Sequence, residues 1–210
     1  MLSALEEFAA HGIAGTTISR LTVAAGARNP SALHYHFGSK AALVEELIVM
    51  VQDWFGSARE PALSMLEARK AAGDAPALRE VLELFVRPYA RIIREEPWGL
   101  AAIRFIAIIE FEQEQVGWES LYNRTAPVAQ RFLDLMLANV PARDRKIFTR
   151  RALFFIDAVI QGFATHEHTR VSFFGDLHLP SIDELADFHI DCGERLLSGR
   201  PGESTRRFGS

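Results

Sequence analysis

The chain has 210 residues, of which 49% are hydrophobic and 24% are charged, and its formal net charge is −4. This length and apolar content allow a substantial buried core, which argues against a disordered chain or a uniformly basic one. The single cysteine, Cys192, excludes an intrachain disulfide. We expect a cytoplasmic protein, because the sequence has neither a signal-peptide pattern at its start nor an apolar run of membrane-spanning length.

The chain begins with a predicted helix. Its inward side chains recur at helical spacing and are Leu2, Leu5, Phe8 and Ala9. Gly12 is expected to end this helix. A second, short helix follows, because Thr17 is a good N-cap for the amide of Arg20. Gly26 is expected to end the second helix, since glycine adopts the left-handed conformation at little cost.

A third helix is predicted directly after this turn. Asn29 would cap it and Pro30 would occupy its first position. Two helices separated by a glycine-containing turn are typical of the helix-turn-helix, whose second helix enters the major groove of DNA. Ala32, Leu33 and Phe37 are expected to face inward. The outward positions would then be Ser31, His34 and Tyr35.

The charge pattern of this region agrees with binding to DNA. No Asp or Glu occurs between Glu7 and Glu45, whereas Arg20, Arg28 and Lys40 lie inside that window. A phosphate backbone requires such an acid-free surface. On spacing alone, an ordinary αα-hairpin with clustered charges remains the alternative.

The segment from Phe8 to Leu43 resembles the DNA-binding domain of the tetracycline-repressor (TetR) family. The resemblance is greatest from Ala32 to Lys40, which reads Ala-Leu-His-Tyr-His-Phe-Gly-Ser-Lys. The family pattern there is a small residue, Leu, two aromatic or His positions, His, Phe, a turn and Lys. The turn before Ala32 is one residue longer here than in the common family form.

The resemblance implies roles for particular residues. Bases would be contacted by Arg28, Asn29, Ser31, His34 and Tyr35. Phosphates, which position a protein without reading sequence, would be contacted by Thr17, Ser39 and Lys40.

The rest of the chain also consists of helical patterns. Ser39 is expected to cap a helix to about Phe55, and Glu60-Pro61 to begin another that reaches about Ala72. Further helices are predicted from residue 77, where Pro88 should kink or split the helix, and over 98–115, 121–140, 141–166 and 182–197. Only 171–174 could be extended. The sequence therefore predicts an all-α fold with a helix-turn-helix domain at 1–45, a larger ligand-binding and dimerisation domain at 46–197, and a flexible tail at 198–210.

The predicted helix that begins at Trp98 is apolar nearly all round, so it should be central in the second domain. We expect a largely apolar pocket of ~300–1,000 Å³ beside it. The candidate lining residues are Trp98, Phe105, Phe111, Trp118 and Phe154.

Two apolar stripes are candidates for a dimer surface or for internal core. The first comprises Leu153, Ile156, Ile160 and Phe163, and the second Leu185, Phe188, Cys192 and Leu196. The resemblance favours dimerisation, since in this family the last two long helices form a four-helix bundle with their symmetry mates. Pairing two helix-turn-helix units across a dyad also supplies the affinity that one unit lacks.

Other polar groups support neither catalysis nor a metal site. Imidazoles at His166 and His168 do not share one helix face, and no third ligand has clear spacing. Asp157 is expected to make a structural hydrogen bond. Glu110, Glu112 and Glu114 are expected to be mostly solvated, although one facing an apolar cavity would mark function.

These features predict a ligand-responsive transcriptional regulator, a repressor released from its operator by a small apolar or amphipathic inducer. The expected partners are double-stranded DNA, the inducer and a second copy of the chain, with no membrane, cofactor, metal or catalytic activity. One alternative is an all-helical cofactor or metal protein that uses the helix-turn-helix for interaction. Another is an architectural DNA-binding protein without a ligand.

Overall fold

The computed structural model describes residues 1–26, 37–112, 117–167, 171–172, 175–176 and 181–198. Eight α-helices lie in this part of the chain: α1 (Leu2–Gly15), α2 (Ile18–Ala24), α3 (Lys40–Ala71), α4 (Leu78–Glu95), α5 (Gly99–Phe111), α6 (Trp118–Met136), α7 (Arg145–Thr165) and α8 (Ile182–Ser198). Two 3-10 turns, Leu137–Asn139 and Ala142–Asp144, connect α6 to α7. The strands β1 (Val171–Ser172) and β2 (Gly175–Asp176) pair antiparallel before α8. The all-α fold class is confirmed.

The first two helices begin and turn much as their capping residues predict. The Thr17 hydroxyl oxygen accepts the amide of Arg20 at 3.2 Å. Gly26 follows α2 with φ of 66°. Gly12 (φ 72°) kinks α1, which then continues for one more turn to Gly15. The predicted third helix falls on residues 27–36, which lie outside the described residues.

The prediction of two separate helices between residues 39 and 72 was wrong. A single helix of 32 residues, α3, spans this region and is about 48 Å long. The Ser39 hydroxyl accepts the Ala42 amide at 3.1 Å and so caps its start. Pro61 lies inside the helix on an exposed face, as does Ser57 one turn earlier, so water can satisfy the carbonyl that loses its N–H partner. Pro88 in α4 and Pro127 in α6 likewise leave their helices continuous.

Helix α5 is central, as its apolar sequence predicts. It contacts α1, α4, α6 and α7, and its residues Ala102, Ile103, Phe105 and Ile109 are buried. The rings of Phe105 and Phe8 lie 6.0 Å apart, so α1 packs directly on α5. One hydrophobic cluster therefore runs from the N-terminal helices into the remainder of the described chain.

None of the helices in the described ranges is long and apolar enough to cross a membrane.

Candidate DNA-binding surface and ligand cavity

Two of the predicted phosphate contacts lie at helix starts. Thr17 and Ser39 are exposed, and each side chain caps its helix by accepting a backbone amide. The free amides at a helix start favour an anion. The positions of both residues are therefore compatible with phosphate binding.

Lys40 has a structural role that its sequence position did not predict. Its Nζ donates to the backbone oxygens of Ile13 at 2.6 Å and Thr16 at 2.9 Å. Two of the three ammonium donors are thus committed inside the domain, and the side chain is half-buried. The phosphate contact of Lys40 stays a prediction, and Lys40 in addition ties the start of α3 to the end of α1.

The acid-free window of the sequence has an acidic neighbour in space. Glu7 accepts from Nε of Arg20 at 2.9 Å, and Nη2 of Arg20 also bonds the ring of His11. This pairing partly neutralises Arg20. The predicted base contacts Arg28, Asn29, Ser31, His34 and Tyr35 lie outside the described residues.

The predicted dimer stripes divide into exposed and buried residues. On α7, Leu153 is 61% exposed, and on α8, Phe188 is 61% exposed beside the exposed Cys192. Leu185 and Leu196 are partly buried.

Two residues of the first stripe require correction. Ile160 and Phe163 are buried inside the protomer, with Phe163 stacked on Tyr89, so they are unable to contact a partner. Ile156 and Ile160 instead line an internal cavity.

That cavity, of about 60 Å³, lies between α3, α4, α5, α6 and α7. Most of its wall is apolar or aromatic. The lining residues are Gln52, Phe55, Arg59, Phe85, Tyr89, Ile103, Ile106, Glu110, Thr125, Val128, Ala129, Phe132, Ile156 and Ile160.

The most unusual group in the wall is Arg59 of α3, which is only 8% exposed. Its guanidinium carbon lies 4.5 Å from the ring centre of Phe55, 5.2 Å from Phe85, 5.1 Å from Tyr89 and 5.8 Å from Phe132. Nη2 donates to the backbone oxygen of Phe85 at 3.0 Å. The buried Nε has no hydrogen-bond partner among the described residues. This arrangement, an aromatic box around a buried cation, is favourable but does not neutralise the charge.

Acidic and hydroxyl groups face the same cavity. Burial, together with the nearby charge of Asp157, raises the pKa of Glu110 to about 7. Burial also raises the pKa of Tyr89, while the Arg59 guanidinium opposes that rise. The buried Oγ1 of Thr125 has no hydrogen-bond partner within the described ranges. Glu110 thus faces an apolar cavity, whereas Glu114 lies outside the described residues.

A second, open cleft of about 350 Å³ lies between α1, α5 and α7. Its lining includes Ala9 and Ala10 of α1 together with Arg104, Phe111 and Glu112. The guanidinium of Arg104 is engaged by Glu167 at 2.8 Å and by the backbone oxygen of Ala164 at 3.0 Å.

Comparison with known proteins identifies the family. Residues 2–47 match the model described as bacterial regulatory proteins of the tetR family. Residues 83–188 match the tetracyclin repressor-like C-terminal domain. The chain belongs to the TetR family. Membership in this family implies DNA-binding regulation of transcription.

The fold is also that of a solved TetR family structure. The crystal structure of the TetR family transcriptional regulator PfmR from Thermus thermophilus is similar with a TM-score of 0.55 and 17% sequence identity. The similarity covers 96% of this chain and 98% of that one. No curated protein matches the sequence.

The cavity of this TetR family chain is not lined by the predicted aromatic residues. Phe105 is fully buried against Phe8, and Phe154 is 66% exposed on the outside of α7. Phe111 is 88% exposed and belongs to the open cleft. Trp98 and Trp118 pack against the core away from the cavity wall.

The sequence contains one signal for the actual wall. Phe55, Arg59 and Leu63 follow each other at four-residue intervals and lie on one face of a helix. A charged residue between two apolar ones on an inward face marks a buried charge. The prediction that one helix ends at about Phe55 and the next begins at Glu60-Pro61 concealed this periodicity.

The metal hypothesis gains no support in the described part of the chain. His166 contacts the backbone oxygen of Phe163 at 3.2 Å, Glu167 pairs with Arg104, and His168 is not described. No group of three His, Cys, Asp or Glu in the described ranges is arranged to hold a metal ion.

Proposed function

We propose that this TetR family regulator represses transcription and is released from its operator by a small ligand in the internal cavity. Residues 1–45 would bind DNA, and residues 46–197 would hold the ligand and form a homodimer. In this proposal the protein acts in the cytoplasm by binding DNA and ligand, and it catalyses no reaction.

The observation that carries the ligand proposal is the buried guanidinium of Arg59 in the wall of the cavity. Protein cores are close-packed, and a charge without a counter-charge is expensive to bury. A domain with a purely structural role would gain stability from an apolar residue at this position. A buried charge in the wall of a cavity is the expected feature of a binding site.

The ligand would act through α3 and α5. Arg59 lies in α3, and Ser39 caps the start of the same helix. A movement of α3 at the cavity therefore reaches the N-terminal helices. A second connection is made at α1, where Phe8 packs on Phe105. In addition, a Cβ placed at Gly12 would lie 3.3 Å from Oε1 of Glu112, so the kink of α1 closely approaches the end of α5.

A dimer would place two recognition segments on one operator. The exposed apolar residues Leu153, Phe154 and Phe188 on the last two helices support this assembly. Two half-sites separated by ~34 Å or a multiple of it would be required. Linkage then demands that ligand and operator weaken each other's binding by the same factor.

Selection of binding sequences from a random duplex library tests the DNA-binding role. We expect a palindromic site whose affinity falls steeply with salt. Tyr35→Ala should abolish the sequence preference, whereas Tyr122→Ala, at an exposed position of α6, should preserve it. Enrichment of no sequence by the wild-type protein would contradict the proposal.

The small volume of the cavity favours one alternative, a DNA-binding protein without a ligand. Its volume of about 60 Å³ is below the ~300–1,000 Å³ usual for ligand sites. A screen in which no small molecule changes operator affinity would support that alternative.

A further inference from the structure

The ligand class of the cavity can be inferred from the charge of its wall. The cation of Arg59 lies in an aromatic box, with Nε unpartnered among the described residues and Nη2 bonded to a backbone oxygen. No carboxylate of the described residues forms an ion pair with Arg59, in contrast to Arg131, which contacts both Glu60 and Glu67. Arg59 therefore brings to the cavity wall a positive charge that no carboxylate of the described residues pairs with.

The other lining residues indicate the chemistry of the rest of an anionic ligand. Ile103, Ile106, Val128 and Ile160 provide aliphatic surface. Glu110 faces the same space, so a ligand with two negative charges would meet a carboxyl group of like charge. A ligand with one negative charge and an apolar body matches this wall.

The volume limits the length of the ligand. One water-sized group needs roughly 10–15 Å³ of such space, so 60 Å³ holds about four to six of them. A carboxylate with a short hydrocarbon chain has this size. Longer or aromatic acids would require the wall to open.

We propose that the cavity binds a small monocarboxylate, whose head group pairs with the Arg59 guanidinium and whose apolar chain lies against the isoleucines of α5 and α7. This inference rests on the proposed function, because it names the ligand class of the same site. A carboxylate matches the planar fork of a guanidinium and forms two parallel hydrogen bonds with it. Since Arg59 belongs to α3, the new ion pair forms on the helix that borders the DNA-binding segment.

Calorimetric titration of the full chain without DNA tests the proposal directly. The probes are acetate, butyrate, hexanoate and benzoate, with butyramide as the neutral isostere of butyrate and methyl phosphate as a dianionic competitor. We expect at least one carboxylate to bind with a Kd below about 1 mM. Butyramide and methyl phosphate should bind at least tenfold more weakly than the matching acid. Equal binding of the acid and the amide, or no binding of any acid, would overturn the proposal.

Substitution of Arg59 supplies the second test. Arg59→Met should weaken carboxylate binding by at least about 30-fold, because a buried charge pair loses one partner. Arg59→Lys should retain part of the affinity, and Arg150→Met, on the exposed face of α7, should retain all of it. Unchanged affinity in folded Arg59→Met would refute the assignment. If that variant does not fold, the comparison of acid with amide on the wild-type chain still decides.

The two proposals fail separately. Carboxylate binding is measured without DNA, so a chain that binds butyrate but selects no operator would retain this inference and lose the regulatory one. A chain that selects an operator but binds no acid would show the reverse.

Discussion

The carboxyl group of Glu110 makes the stability of this chain depend on pH in a predictable direction. Its pKa is raised from 4.5 to about 7, first by burial and then by the charge of Asp157. The unfolded chain therefore ionises this group at a lower pH than the folded chain does. Stability is lost as pH rises above 4.5, and the loss is complete above about 7. Glu110→Gln keeps the side-chain shape and removes this loss.

The size of the effect follows from the shift. Each pKa unit is worth about 1.4 kcal/mol, so ionisation of Glu110 costs up to about 3 kcal/mol at pH 8. At pH 5 the cost of ionising Glu110 in the folded chain is less than about 1 kcal/mol. Any fixed cost of burying the glutamine amide is the same at both values and cancels. The stability of Glu110→Gln relative to wild type should therefore rise by about 2–3 kcal/mol between pH 5 and pH 8.

Urea unfolding at both pH values, at one protein concentration, measures this change. The pKa of Glu60 and that of Glu67 are lowered by Arg131, and their own effect on stability is shared by both proteins and drops out of the comparison. Glu119→Gln, at an exposed position of α6, serves as the control for charge removal. An equal stability difference at the two pH values would refute the placement of Glu110 in a desolvated site.

Three further substitutions test other parts of the structure. Lys40→Met should lower the free energy of unfolding by about 1–3 kcal/mol in urea titrations, because two backbone carbonyls lose their donor; no change would contradict the tie between α1 and α3. Phe188→Glu should yield a monomer by light scattering and weaken operator binding, and a wild-type monomer at micromolar concentration would contradict the dimer. Gly117→Ala should cost about 1–3 kcal/mol by the same unfolding assay, since φ is 105° and the new Cβ would lie 2.8 Å from Cγ1 of Val44.

The parts of the fold that depend on local chemistry were predictable. Thr17 and Ser39 cap helices because a short hydroxyl side chain can reach a free amide, and this needs no tertiary contact. The effect of Pro61 was predicted wrongly because it depends on tertiary packing. Glu60-Pro61 has the local pattern of a helix start, but packing of Phe55, Arg59 and Leu63 on one face carries α3 through the proline.

The cavity depends on which faces of five helices meet, and sequence periodicity does not supply that information. Phe105 and Phe154 are equally apolar, yet one is enclosed by α1 and the other lies on the outer face of α7. Ile160 belongs to a stripe that could serve a dimer or a core equally well. Arg59 was missed because an isolated arginine is normally a surface residue.

The direct packing of α1 on α5 has a consequence for modular exchange. The match to the N-terminal family model ends at residue 47, which invites the building of chimeric regulators by cutting there. Such a cut would separate Phe8 from Phe105 and Val44 from Gly117, which lies close against it. The C-terminal domain of the other parent would have to reproduce the α5 surface and also continue helix α3 without a break. A chimera should therefore fold when the two parent proteins have matching contacts between α1 and α5, whatever operator sequences they bind.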